Sequence, residues 1–117
     1  NEVILFFWAS WSPESRADIQ LLKSKYPEFK RDGLKIYAVS LDHKAQFWEA
    51  AIKTENLKWV NVSDLAGPES PVAELFNLNG KLPLYFLIDR QGHIRAKTSN
   101  FSQLIDSVDT LMHKSQS

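Results

Sequence analysis

The chain has 117 residues, 44% of them hydrophobic, with 14 Lys and Arg balancing 14 Asp and Glu and no cysteine. That length favours one domain with a real core, since a chain this size buries roughly two thirds of its unfolded surface. The scattered, balanced charge argues against a nucleic-acid partner, no apolar run is long enough to span a bilayer, and the lack of cysteine excludes disulfides, thiolate metal sites and thiol redox chemistry in the chain as given.

Val3 to Trp8 is a short run of bulky apolar and aromatic residues, which reads as a strand buried on both faces. A turn follows, and then a helix start. Ser12 is a good N-cap, Pro13 suits the first helical position, and Glu14 in the first turn faces the positive end of the helix dipole. Ile19, Leu22, Tyr26 and Phe29 recur at helical spacing and form one face. Pro27 inside this pattern is expected to kink the helix or end it near Tyr26, because it removes a hydrogen bond and crowds the preceding turn. Asp32-Gly33 closes the segment, and Leu34 to Leu41 reads as a second buried strand.

Asp42-His43 is the turn after that strand. Lys44 to Glu55 carries Phe47, Trp48, Ala51 and Ile52 and reads as a second helix, with Asn56 as its stop. Trp59 to Val62 is a short extended piece. Ala66 to Pro71 is a loop, with Ser70 and Pro71 opening a short helix through Phe76. Asn79-Gly80 marks a turn. Leu84 to Ile88 is a third strand, Asp89 to Gly92 a tight turn, and His93 to Lys97 a fourth strand, so the pair reads as a hairpin. Phe101, Leu104, Ile105, Val108, Leu111 and Met112 pattern a terminal amphipathic helix. The expected domain is 1–113, with a frayed tail at 114–117. No signal peptide is expected, as no charged region precedes an apolar one, and a chain that opens almost directly in a strand is expected to be a fragment or a mature piece.

The order β-α-β-α-(α)-β-β-α predicts an α/β fold. Two strand-helix-strand steps imply parallel pairing, and the closing hairpin adds antiparallel strands. The expected sheet is mixed, has about four strands, and carries helices on both faces.

The segment WASWSPESR resembles the active-site segment of thioredoxin-like proteins of the TlpA/ResA type, which reads WASWCxxCR. Both cysteine positions are serine here, Ser12 and Ser15. YAVSLD (Tyr37 to Asp42), LKWVNVSDLAGPESPVAELFNL and LPLYFLIDRQGHI (Leu82 to Ile94) are also similar to segments of that family, the last to its xPTxFLIDxxGxI. The resemblance runs from Val3 to about Lys97. It implies a thioredoxin-like fold, thiol-disulfide oxidoreductase ancestry, and a cell-envelope or periplasmic location. It further implies that Pro83 is the family's cis-proline facing the Ser12 turn, and that Asp18 holds the family's acidic position, one methylene shorter than the usual Glu. Leu82 departs from the small residue usual before that proline.

Disulfide exchange needs a thiolate at position 12 and a resolving thiol at 15. A helix dipole contributes at most about 2 kcal/mol, which leaves a serine hydroxyl protonated. The main expectation is therefore a redox-inactive module. It would bind a peptide or protein partner in a groove of Trp11, Ser12, Pro13, Glu14, Leu82 and Pro83, without a cofactor or metal. Trp11 is either a partner contact or a lid on the helix start, and Asp18 either a buried proton acceptor or a plain first-helix charge. An alternative is a thiol-disulfide oxidoreductase seen in a cysteine-to-serine form. A remote one is a serine hydrolase, with Ser12 as nucleophile, His43 as base, and Asp42 or Asp18 orienting it. No metal site is expected from the scattered His43, His93 and His113.

Overall fold

The computed structural model describes residues 2–67, 70, 71, 74, 76 and 82–114, the last two of these by backbone alone. The elements are β1 (Val3–Trp8), α1 (Pro13–Arg31), β2 (Lys35–Ser40), α2 (Ala45–Glu55), β3 (Val60–Ser63), β4 (Leu84–Ile88), β5 (Ile94–Thr98) and α3 (Phe101–Lys114). The expected Asn79-Gly80 turn, Pro68 and Glu69 of the expected loop, most of the expected helix to Phe76, and the tail beyond Lys114 lie outside the described residues.

The strands form one sheet in the order β3-β2-β1-β4-β5. Strand β1 is central. It pairs parallel with β2, from Val3 opposite Lys35 to Trp8 opposite Ser40, and antiparallel with β4, from Val3 opposite Ile88 to Phe7 opposite Leu84. The sheet has five strands among the described residues, one more than the sequence suggested. The addition is β3, the Trp59–Val62 stretch shifted by one residue, which pairs parallel with β2. Its two valines are exposed, Val60 at 48% and Val62 at 44%, so it lacks the buried pattern by which a strand announces itself.

Alternation along β1 sorts the core into two layers. Ile4, Phe6 and Trp8 face one side, with Ile36, Ala38, Tyr85 and Leu87 from the neighbouring strands. Against that side pack Ile19, Leu22 and Phe29 of α1, Ala51 of α2, and Leu104 and Val108 of α3. The opposite face carries Phe7, Leu84 and Phe86, covered by Leu41, Leu82 and Phe76. The Glu74 N–H donates to the Ser70 carbonyl at 3.2 Å, a helical turn in the segment that supplies Phe76.

Helix α1 does not end at Tyr26. It continues through Pro27 to Arg31, because Phe29 beyond the proline is 4% exposed and anchored in the core. It stops at Gly33, whose φ of +84° is the left-handed turn that glycine takes without strain. The Leu34 N–H donates to the Phe29 carbonyl and the Gly33 N–H to that of Lys30, a Schellman closure. Helix α2 buries Ala51, with Trp48 and Ile52 partly buried beside it, whereas Phe47 is 56% exposed.

Candidate functional site

The parallel β1–β2 pair and the antiparallel β1–β4 pair bring three chain segments to one end of the sheet. They are Ala9 to Ser12 after β1, Leu41 to Lys44 after β2, and Leu82-Pro83 before β4. One step beyond the Phe7–Leu84 pair, the next positions outward are Trp8 and Pro83. The Leu82–Pro83 peptide is cis.

Ser12 caps α1. Its Oγ accepts a hydrogen bond from the Ser15 N–H at 3.2 Å, and its extended backbone is that of an N-cap. The same hydroxyl donates to Glu14 Oε2 at 3.4 Å. Ser12 is 3% exposed and Ser15 is 0% exposed. The Ser15 Oγ has no hydrogen-bond partner among the described residues, an unusual state for a buried hydroxyl. Pro13 and Glu14 are exposed, and Trp11 stands out at 56% exposure. Leu82 is half-buried and Pro83 buried.

One turn below Ser15, Asp18 accepts a hydrogen bond from the Tyr85 hydroxyl at 2.6 Å. Burial pushes the Asp18 carboxyl above its ordinary value, and the bond from Tyr85 offsets part of that. Burial, then Asp18 itself, holds the Tyr85 phenol far above its usual range, so Tyr85 remains a donor. The sequence identified Asp18 by position. It gave no hint of Tyr85, which sits in an apolar strand pattern and stacks on Phe6 with ring centroids 5.2 Å apart.

Asp42 was read as a turn residue and a candidate orienter of His43. It is instead 2% exposed and ties two loops together. Its carboxylate accepts from the Ser10 N–H at 3.2 Å, from Ser10 Oγ at 2.6 Å, and from Ser40 Oγ. The serine hydrolase arrangement is not assembled. Ser12 bonds Glu14 and Ser15, Asp42 bonds Ser10 and Ser40, and Asp18 bonds Tyr85. His43 instead lies against Gly67, where a Cβ atom would come within 2.1 Å of the imidazole.

The site thus pairs a capped helix start with a cis-proline strand, with serines at the two positions where a dithiol would act. A profile of the AhpC/TSA family matches residues 1–97. The chain belongs to the AhpC/TSA family. Among relatives of this AhpC/TSA chain is the thiol-disulfide oxidoreductase ResA of Oceanobacillus iheyensis. It is 30% identical over 92 residues, 79% of this chain and 46% of that protein. The ResA of Geobacillus kaustophilus is 28% identical over 93 residues, 80% of this chain and 51% of that protein. The chain spans about half the length of these curated relatives.

Solved structures agree. A thiol-disulfide oxidoreductase from Bacteroides fragilis superposes with a TM-score of 0.86 at 29% identity, covering 95% of this chain and 81% of that one. The thioredoxin domain of a thiol-disulfide oxidoreductase from Bacteroides vulgatus gives 0.84 at 27% identity, covering 96% of this chain and 79% of that one. The AhpC/TSA chain therefore has a thioredoxin-like fold within a thiol-disulfide oxidoreductase family, and it contains no cysteine.

Proposed function

We infer that residues 1–113 form a single thioredoxin-like domain that no longer exchanges disulfides and binds a polypeptide segment at the Trp11, Leu82 and Pro83 surface. The observation that carries this reading is Ser12. It stands at the helix N-terminus where exchange chemistry requires a thiolate, while Trp11 beside it keeps more than half of its surface in water. A large exposed aromatic next to an open strand end suits polypeptide recognition. Pro13 and Glu14, exposed in the first turn, border that surface. By resemblance to its relatives the domain works in the cell envelope or periplasm. Among the described residues no helix is long and apolar enough to cross a membrane.

The test is insulin reduction with dithiothreitol. The chain is expected to match a protein-free blank, and Ser12→Cys with Ser15→Cys is expected to turn over. Turnover by the unaltered chain would overturn the loss of activity. Absence of any Trp11 fluorescence or chemical-shift response to extended peptides would overturn the binding role.

A second reading is favoured by the buried, unpartnered Ser15 hydroxyl. A thiol tolerates such an apolar niche better than a hydroxyl, because it loses less on leaving water. That suits a thiol-disulfide oxidoreductase carried here in a cysteine-to-serine form. The codons at positions 12 and 15 of the gene decide between the two readings.

A further inference from the structure

On the β2 side of Trp11, away from Leu82 and Pro83, the surface opens into a cavity of about 500 Å³. Trp11 and Phe47 line it, and at 56% exposure each they are the most exposed aromatic side chains among the described residues. Ala51, 3% exposed, supplies a buried apolar part of its wall. Such an opening fits one bulky apolar side chain between two rings, and covering it removes aromatic surface from water.

The charge around the opening has one sign to spare. The Asp42 carboxylate is already occupied by Ser10 and Ser40. Glu55 accepts from Gln20 and lies 3.4 Å from Arg16 and 3.8 Å from Lys23, one carboxylate between two cations. Lys44 Nζ sits 5.9 Å from the centre of the Phe47 ring and has no carboxylate partner among the described residues. His43 is fixed as a further wall by its seat on Gly67. Asp42 and Glu55 are engaged internally and Lys44 is left to meet an anion, while half-exposed Arg16, which shares Glu55 with Lys23 and donates to the Ser10 carbonyl at 3.4 Å, adds net positive charge beside it.

We propose that this cavity receives a bulky apolar side chain of a partner polypeptide whose neighbouring residues are acidic, seated between Trp11 and Phe47 with its carboxylates toward Lys44 and Arg16. The proposal rests on the polypeptide-binding reading above. It adds the side of Trp11 from which the partner is gripped and the chemistry that is selected. Leu82 and Pro83 are not part of it.

The probes are three capped pentapeptides, each titrated into the isotope-labelled full chain and followed by NMR. One has phenylalanine between two aspartates, one phenylalanine between two lysines, and one alanine between two aspartates. The first is expected to shift the Trp11 indole, Phe47 and Thr54 signals, and to bind about tenfold more tightly than either control. Phe47→Ser and Lys44→Glu, both at exposed side chains, are each expected to weaken it about tenfold while the rest of the spectrum is unchanged. Raised salt is expected to weaken the unaltered chain and to have little effect on Lys44→Glu. Equal binding of the lysine-flanked peptide overturns the proposal. So do shifts confined to the neighbours of Leu82 and Pro83 with Phe47 silent, and this result leaves the polypeptide-binding reading standing. If no peptide shifts either side of Trp11, the two fall together.

Discussion

Ser15 is the residue at which local chemistry and burial disagree most. Its hydroxyl is inside the protein, on a helix, with nothing to bond. An unsatisfied buried hydroxyl costs about 1–3 kcal/mol, and alanine is the better helix former. Ser15→Ala is therefore expected to raise stability by about 1 kcal/mol in urea unfolding, and a loss of stability would show that the hydroxyl has a partner in solution. Asp18 gives a second test. Its folded carboxyl sits above the ordinary value of 3.8, so the folded protein holds that proton more tightly than the unfolded chain. The stability this proton supplies is complete below the unfolded value and is lost as pH rises through the folded one. Asp18→Asn removes that loss while keeping an acceptor for Tyr85. Relative to the unaltered chain, the variant is expected to gain stability as pH rises past the ordinary carboxylate value of 3.8, with the gain levelling off once pH exceeds the raised folded value. A difference that stays flat across that rise would mean the carboxyl is not desolvated. Ser12 was legible as the cap of a helix start, whereas Ser15 and Asp18 were legible only through the resemblance of this segment to the thioredoxin-like active-site pattern. Tyr85 was not, since an apolar strand does not reveal which ring carries the proton that Asp18 accepts.

At the scale of elements, α1 shows where sequence rules yield to packing. The proline penalty is local, about one hydrogen bond and one steric contact, whereas the anchoring of Phe29 and Leu34 in the core is a tertiary gain that a window of sequence does not contain. The true stop was in plain view as Gly33, whose positive φ lets the chain reverse and close two carbonyls. A Cβ there would meet no atom within 4 Å, so the cost of Gly33→Ala is backbone strain alone. A loss of about 1 kcal/mol is expected in thermal or urea unfolding. No change would mean that α1 ends another way. Phe47 misled in the opposite direction. Its four-residue spacing to Ala51 suggests a core position, but the buried face of α2 is centred on Trp48, Ala51 and Ile52, which turns Phe47 outward. The cavity beside it joins residues from α1, the β2–α2 loop and α2, and no linear pattern announces such a meeting.

Across the whole molecule, parallel β1–β2 and the antiparallel hairpin were legible because each rests on strong signals. These are apolar runs of strand length, a capped helix between two of them, and an Asp89–Gly92 turn. Strand β3 was missed as a member of the sheet because an edge strand of four residues with outward valines has no inner pattern to read. The same weakness affects the face of the sheet that α1, α2 and α3 do not cover, where Tyr37 is 39% exposed between strand neighbours.

The strand order sets a hierarchy of amide hydrogen exchange. β1 is hydrogen-bonded on both flanks, to β2 and to β4, so its amides meet deuterium only when the halves of the sheet part. Among the described residues β3 and β5 each have one open flank and can fray without disturbing the centre. In heavy water, Ile4 to Phe7 are expected to exchange last, at the rate of global unfolding, while Val60 to Ser63 exchange early. Uniform exchange across the five strands would contradict this order. The turn that carries Trp11 and Ser12 is spliced directly to the strand expected to exchange last, so the surface proposed for a partner would be mounted on the part of the molecule expected to open least often.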